Sequence, residues 1–385
     1  MKKILSLLLV ATSLFACAKN SDYTITISNP SNFDRLADVA EISLDSVKAK
    51  VTLTDSLVYI VKTSDGKIIP SQITYDGKLI FQPELKANET KSFVITSGKA
   101  QSYPAKTYGR QVPERYDDFA WENDRVAFRA YGPSLIPIDG PSNGFDAWYK
   151  KTNNLIIDKW YKDDIAGKQS YHSDHGEGLD DYTVGGQALG AGAMAPYVDG
   201  KLVFNQNYES QEVLENGPLR TTFKLTYKNL DVNGTSVAES RTISLDAGSQ
   251  LSKVQQYYTI SEPLTVAAGL AKREKGDTVI TAIDKGFVIY QEPKTPRSEG
   301  VYLTVVFPEG IKESIVDSYE YTHPKNNRLQ KRSHVLAITT QQPNIPVTYY
   351  TGYGWKEFGF PTISDFEKYV ENFAIALKEP LKITY

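Results

Sequence analysis

Arg241-Thr-Ile-Ser-Leu-Asp-Ala-Gly-Ser-Gln-Leu-Ser-Lys-Val-Gln-Gln-Tyr-Tyr258 decides the fold. Apolar and polar residues alternate through Ile243 and Leu245, which is the period of a half-buried strand. An Asp-Ala-Gly-Ser run then breaks the pattern, and a second strand-like run follows. The reading is a long antiparallel hairpin with strands over 236–245 and 251–260. Working outward, Asn233-Gly234 is a strong two-residue hairpin signal and separates this hairpin from a strand over 220–230. Further short strands are expected at 202–205, 278–283, 286–291, 301–307, 334–340 and 347–353. Many short strands with turn signals between them, and no alternation with helices, predict an all-β sandwich architecture.

The same texture begins the chain. Strands are expected at 23–28, 40–44, 57–62, 68–74, 79–82 and 92–97, with Asp65-Gly66 and Asp76-Gly77 as tight turns. Residues 23–100 read as a small N-terminal β-sandwich module, and 101–385 as a large antiparallel supersandwich domain that carries the chemistry. Residues 101–180 are rich in Tyr, Trp, Asp and Pro without clean periodicity, and are expected to form binding loops. One helix is predicted near the C-terminus. Ser364 and Glu367 form a capping box, Phe366, Tyr369, Val370, Phe373 and Leu377 share a face, and Pro380 lies beyond the end. Gly190-Ala-Gly-Ala-Met-Ala195 matches a dinucleotide-binding pattern, but no βαβ unit surrounds it, so 184–196 reads as a strand of small residues.

Composition narrows the function. The 385 residues carry a net charge of −3 with no basic patch, which argues against nucleic acid as a partner. Tyr leads the aromatics, 25 of them against 15 Phe and 4 Trp, and suits strands and polar ligands. Lys2 and Lys3, a short apolar run over 4–11 and Leu14-Phe15-Ala16-Cys17 resemble a bacterial lipoprotein signal with its lipobox. The run is too short for a permanent membrane span. That pattern implies a signal peptide over 1–16, cleavage before Cys17, lipidation of its sulfur and a tether over 17–22. Cys17 is the single cysteine, so neither a disulfide nor a cysteine-based metal or nucleophile site is expected. The expected location is a lipid-anchored protein facing the periplasm or the outer-membrane surface, with the membrane as partner through that anchor.

Three motifs narrow the family. Tyr108-Gly-Arg-Gln-Val-Pro-Glu-Arg-Tyr-Asp-Asp-Phe-Ala-Trp-Glu-Asn-Asp-Arg-Val-Ala-Phe-Arg-Ala-Tyr-Gly-Pro133 is the first, and Tyr171-His-Ser-Asp-His-Gly-Glu-Gly-Leu-Asp-Asp-Tyr-Thr-Val-Gly-Gly186 the second. The third is Thr351-Gly-Tyr-Gly-Trp355. The long hairpin resembles galactose-mutarotase-like supersandwich proteins, and the three motifs together resemble the domain-of-unknown-function 4861 family. This resemblance covers about residues 100–385. It implies a Bacteroidota lipoprotein or secreted protein found among polysaccharide-degrading genes. It also implies dehydration of uronate-terminated oligosaccharides during degradation of ulvan, a green-algal polysaccharide, to give a 4,5-unsaturated uronate.

Such an elimination needs the carboxylate neutralised, a base for the C5 proton and an acid for the departing C4 hydroxyl. Arg, Asn, His and Tyr supply these roles, so no cofactor is expected. His172 and His175, two of four histidines, lie in a polar loop and are candidate base or acid, with Tyr182 or Tyr171 as partner. A Tyr serves as base only if a nearby cation lowers its pKa. The bland reading is an ordinary surface loop. His172 and His175 with a distant third ligand also offer a weak zinc alternative, without the helical geometry of a His-Glu-x-x-His site. His323, before Pro324, is expected on a loop near the site, and His334 as a satisfied strand residue. Arg115, Arg125 and Arg129 are candidate carboxylate clamps, with Arg125 and Arg129 on one face of a strand; pairing with nearby Asp and Glu is the competing use. Trp355 is the candidate exposed platform for a sugar ring, and Trp121, Trp148, Tyr149 and Trp160 are mainly core candidates. The alternatives are a polysaccharide or oligosaccharide lyase, which expels a sugar instead of water, sugar epimerisation on a mutarotase-like fold, and a non-catalytic carbohydrate-binding lipoprotein.

Overall fold

The computed structural model describes residues 22–385 apart from 55, 185 and 274. The expected signal peptide, Cys17 and the tether up to 21 lie outside the described residues. No helix among the described residues is long and apolar enough to cross a membrane.

The long hairpin forms as its alternation requires. Glu239–Asp246 pairs antiparallel with Leu251–Tyr258, Ile243 opposite Val254. It sits in the middle of an eight-stranded sheet. The order is Ser210–Asn216, Arg220–Thr226, the two hairpin strands, Val347–Trp355, Val301–Val306, Phe287–Gln291 and Thr278–Ala282. Inner strands of this sheet are covered on both faces, whereas its edge strands Ser210–Asn216 and Thr278–Ala282 are partly exposed. Val288 and Tyr290 enter the main core, whereas Phe287 and Ile289, one residue out of phase, face the C-terminal helix Ile363–Lys378. The helix lies on the sheet through Phe366, Val370 and Ala374. Its capping box is Thr362 with Asp365 rather than Ser364 with Glu367. The Thr362 Oγ1 accepts the Asp365 N–H at 3.2 Å, and the Asp365 carboxylate accepts the Thr362 N–H at 2.9 Å. The same spacing of hydroxyl and carboxylate recurs two residues earlier, and that start brings Ile363 into the first turn.

Opposite the core face stand two five-stranded sheets. One is ordered Lys201–Leu202, Ala191–Val198, Leu264–Lys272, Leu329–Gln341, Glu313–Thr322. The other is ordered Gly178–Leu179, Phe145–Lys150, Ala127–Ala130, Asp118–Asn123, Thr107–Val112. The second corrects the reading of 101–180 as loops. Every residue of the strands Asp118–Asn123, Ala127–Ala130 and Phe145–Lys150 is buried. Polar side chains therefore occupy strand positions on a covered face, and the alternation that marks a half-exposed strand disappears. Phe119, Trp121 and Phe128 join the main core, while Trp148 stacks on Trp160 and Tyr171 in a separate core under the helix Ile157–Ile165.

The N-terminal module has its own core around Ile25, Ile42, Phe81 and Ile95. Its strand Tyr23–Ser28 pairs with Thr90–Gly98 on one side and with Lys382–Thr384 on the other. The end of the chain thus returns to the module's sheet, beyond the expected 23–100 boundary. The expected 68–74 strand splits at Pro70 into Ile68–Ile69 and Ser71–Ile73, which pair in different sheets. Proline donates no ladder hydrogen bond and marks the change of sheet. Asn233 and Gly234 both have positive φ, +51° and +81°, as a type I′ hairpin turn requires.

Candidate active site

The hairpin joining Glu313–Thr322 to Leu329–Gln341 reaches over the end of the strand layer and closes one side of a cavity of about 380 Å³. Arg115 enters from the single turn Pro113–Arg115 that follows an edge strand. Tyr131 and Asp139 come from the segment after Ala127–Ala130, Tyr182 from the second motif, and His323 and Arg332 from the hairpin. Two glycines permit this closure. A Cβ on Gly140 would lie 2.4 Å from the Pro324 ring, and one on Gly186 2.7 Å from the Tyr321 ring. Both have positive φ, +82° and +78°, a region strained for other residues.

Of the residues expected at the site, the fold brings three to this cavity: Arg115, Tyr182 and His323. The Nη1 of Arg115 makes no hydrogen bond, and Asp118 Oδ2 lies 3.7 Å away. The His323 Nδ1 accepts the Lys325 N–H at 3.2 Å, and its Nε2 lies 3.7 Å from Asp139 Oδ1. The accepting Nδ1 assigns the proton of the neutral ring to Nε2, on the Asp139 side. The Tyr182 hydroxyl has no hydrogen-bond partner, and its ring lies 5.1 Å from the Arg273 guanidinium. Arg273 donates to the Thr183 carbonyl at 2.8 Å and to Glu292 at 3.0 Å, which holds this segment in place.

Burial pushes the tyrosine pKa values upward. Tyr182 is raised well above its ordinary value despite the opposing Arg273 charge. Tyr131 is raised well above its own by burial and by Asp146, with Arg129 opposing. Neither is poised as a base, and both are proton donors at neutral pH.

Arg129 corrects a second expectation. It is 2 % exposed and surrounded by carboxylates, donating to Asp146 at 2.9 Å through Nε and to Asp180 at 2.9 Å through Nη2. It is therefore committed to the protein and unavailable as a substrate clamp. Tyr171 is buried beside it, its hydroxyl 3.4 Å from Arg129 Nη1 and its ring stacked on Trp148, so it does not reach the cavity. Burial and the neighbouring Asp146 push the Asp180 carboxyl well above the carboxylate range, against the pull of Arg129. Arg125 is parted from Arg129. The strand begins only at Ala127, because the Asn123 side chain accepts the N–H groups of Arg125 and Val126 and turns the chain there. Arg125 instead lies over the Phe358 ring, 5.6 Å from its centroid.

His172 and His175 are exposed and line none of this cavity. The His172 Nδ1 lies 3.1 Å from the Asp180 carbonyl oxygen, so the loop touches the cluster behind the cavity. The carboxylates beside these histidines are taken by lysines, Asp174 by Lys151 and Glu177 by Lys159. Among the described residues no group of three His, Cys, Asp or Glu is placed to hold a metal ion. Trp355 is 1 % exposed, and its indole N–H donates to the Glu299 carbonyl at 3.1 Å, so it is no exposed platform. The glycines before it admit the Gln250 backbone and the Phe366 ring, which bury the strand end. His334 lies in a strand and is buried, and its Nε2 accepts the Leu189 N–H at 3.0 Å, but it is not fully satisfied as expected because its buried Nδ1 has no hydrogen-bond partner; burial lowers its pKa to about 3. Sequence reasoning missed Tyr131, Asp139 and Arg332. Tyr131 was visible inside the first motif; Asp139 and Arg332 carry no local signal.

The sequence family described as Domain of unknown function (DUF4861) matches residues 27–383. The chain belongs to that family. It is similar at 33 % identity over 405 aligned residues, with all of both chains covered, to "Uncharacterized protein P7" of Formosa agariphila. Among solved structures, this family member is similar to a protein in the Glycosyl Hydrolase Family 38 from Enterococcus faecalis. The TM-score is 0.51 and the identity 9 %, with 94 % of this chain and 47 % of that one covered. An alpha-mannosidase from Enterococcus faecalis V583 gives a TM-score of 0.52 at 9 % identity, covering 94 % and 46 %. The chain thus spans about half the length of these two proteins, and the likeness is one of fold.

Proposed function

We propose that the cavity is the active site of an oligosaccharide dehydratase. It eliminates water from a uronic acid at the non-reducing end and leaves a 4,5-unsaturated uronate. One observation carries this reading: a single cavity holds an arginine whose Nη1 makes no hydrogen bond and is held only by a 3.7 Å ion pair to Asp118, a His–Asp pair and an unpartnered tyrosine hydroxyl. Arg115 takes the substrate carboxylate and disperses the negative charge that develops when C5 loses its proton. The Asp139 carboxylate, facing the His323 Nε2–H, receives that proton. The C4–O bond breaks, and the Tyr182 hydroxyl, held protonated by its surroundings, donates to the departing oxygen so that it leaves as water. Return of the proton from Asp139 to Tyr182 through solvent restores the protein, and no redox partner enters the balance.

The resemblance to ulvan-oligosaccharide dehydratases and the glycoside-hydrolase-like fold are consistent with a glycan substrate. The lipobox-like segment ending at Cys17 supports a lipid anchor that keeps the protein beside imported oligosaccharides. The buried Trp355 removes the main support for a purely binding role.

The test uses saturated glucuronate-terminated oligosaccharides from ulvan, followed by absorbance of the unsaturated uronate and by mass spectrometry. The expected result is rising absorbance with loss of one water mass. Arg115→Ala, His323→Ala and Tyr182→Phe should each reduce the rate by about 10²–10⁴-fold, while His175→Ala should leave it within about threefold. Chain shortening in place of water loss would make the protein a lyase. An unchanged rate in both His323→Ala and Arg115→Ala would overturn this site.

A further inference from the structure

We propose that the junction of the N-terminal module, the eight-stranded sheet and the C-terminal helix is a second ligand site, one that takes a single acidic sugar: a hydroxylated ring bearing a carboxylate. A cavity of about 350 Å³ lies there and shares no lining residue with the candidate active site. That volume is at the small end of small-molecule pockets. The proposal stands independently of the reaction above.

Most charged groups around this cavity are already engaged. Arg35 donates to Asp38 at 2.6 Å and to the Glu379 carbonyl at the end of the helix at 2.7 Å. Arg220 bridges Glu41 at 2.7 Å and Asp246 at 2.8 Å. Lys253 differs. It projects from Leu251–Tyr258 on the face away from the main core, is half-buried, and has neither a hydrogen bond nor an ion pair among the described residues. Burial lowers its pKa, and Glu41 and Asp246 offset this only through space. Asn372, on the facing helix, also lines the cavity and leaves its buried side-chain carbonyl without a donor.

A half-buried ammonium without a partner is costly and is relieved by an oxyanion. An amide carbonyl without a donor is relieved by a hydroxyl. The remaining wall is aromatic: Phe373 packs edge-on to Tyr350 with centroids 5.1 Å apart and beside Tyr369 at 6.1 Å. Flat apolar surface beside one unengaged donor and one unengaged acceptor suits a sugar ring with an anionic substituent. A simple inorganic anion would use only the lysine, and a neutral sugar would leave the lysine unanswered.

The test titrates D-glucuronate, D-glucose and inorganic sulfate by calorimetry into the Arg115→Ala protein, in which the candidate active site has lost its clamp. Glucuronate should bind at one equivalent, at least tenfold tighter than glucose or sulfate. Adding Lys253→Met should weaken glucuronate at least tenfold, and Asn372→Asp, whose carboxylate repels the ligand, should do the same from the opposite wall. Circular dichroism confirms that each variant is folded, and either variant suffices. Glucuronate binding untouched by whichever variants fold, no glucuronate binding at all, or equal affinity for sulfate or glucose would overturn the site. Loss of turnover at the first cavity would leave this result unaffected, so the two proposals fail separately.

Discussion

Arg115 and Arg129 belong to one motif and meet different fates because of one strand. Arg129 lies within Ala127–Ala130, where its neighbours across the sheet and below include Asp146 and Asp180, and a buried guanidinium is tolerable only when paired in this way. Arg115 sits one turn outside a strand, beside a cavity, where its Nη1 makes no hydrogen bond and has only a 3.7 Å ion pair to Asp118. Residue type marked both as anion binders, and only the surroundings separate them. His334 yields a prediction at this scale. Its folded pKa is about 3 against an ordinary 6.5, lowered by burial, with Arg273 and Arg332 adding to the effect. The unfolded chain therefore binds the extra proton first as pH falls. The neutral, buried state is fully favourable above about 6.5 and is lost progressively toward about 3, at up to about 1.4 kcal/mol per pH unit. Urea unfolding at pH 7 and pH 5 should show wild type losing more stability than His334→Gln, whose side-chain carbonyl can still accept the Leu189 N–H.

At the scale of elements, the strands that alternate were legible and the strands buried on both sides were not. Ile243 opposite Val254 could be read because polar residues separate the apolar ones. Asp118–Asn123 and Phe145–Lys150 could not, because Asp118, Glu122, Asp146 and Lys150 point into covered, paired environments instead of water. The Lys150–Glu122 pair at 2.8 Å shows what such a position demands: Glu122 also accepts the N–H groups of Ile156 and Ile157 at the start of a helix. The hairpin tip over the candidate active site depends on close backbone approach at Gly140. Gly140→Ala would place a methyl 2.4 Å from Pro324 at a φ of +82°. The expected outcome is about 1–3 kcal/mol of lost stability in thermal or urea unfolding. Turnover should fall as well, because the clash pushes away the turn that carries His323.

At the scale of the whole molecule, the chain closes on itself. Lys382–Thr384 forms an edge of the module sheet, Leu381 and Ile383 pack on the module core, and Arg35 holds the end of the C-terminal helix. Ending the chain at Glu379 should expose the edge of Tyr23–Ser28. Limited proteolysis should then cut within the first hundred residues, with a lowered unfolding midpoint; unchanged protease resistance would show that the module stands without its last strand. Taken by itself, the sequence determined the all-β class, the principal hairpin, the tight turns at Asp65-Gly66, Asp76-Gly77 and Asn233-Gly234, the C-terminal helix and the family, because periodicity, turn chemistry and contiguous motifs are local properties. It also singled out Arg115, Tyr182 and His323, which the fold gathers in one cavity. The tertiary structure alone decided that Arg129, Tyr171 and Trp355 are buried within the fold. It alone decided that His172 and His175 stand apart from the cavity, and that Asp139 faces His323. Burial and partnership depend on segments distant in the chain packing together, and neither leaves a mark at the position itself.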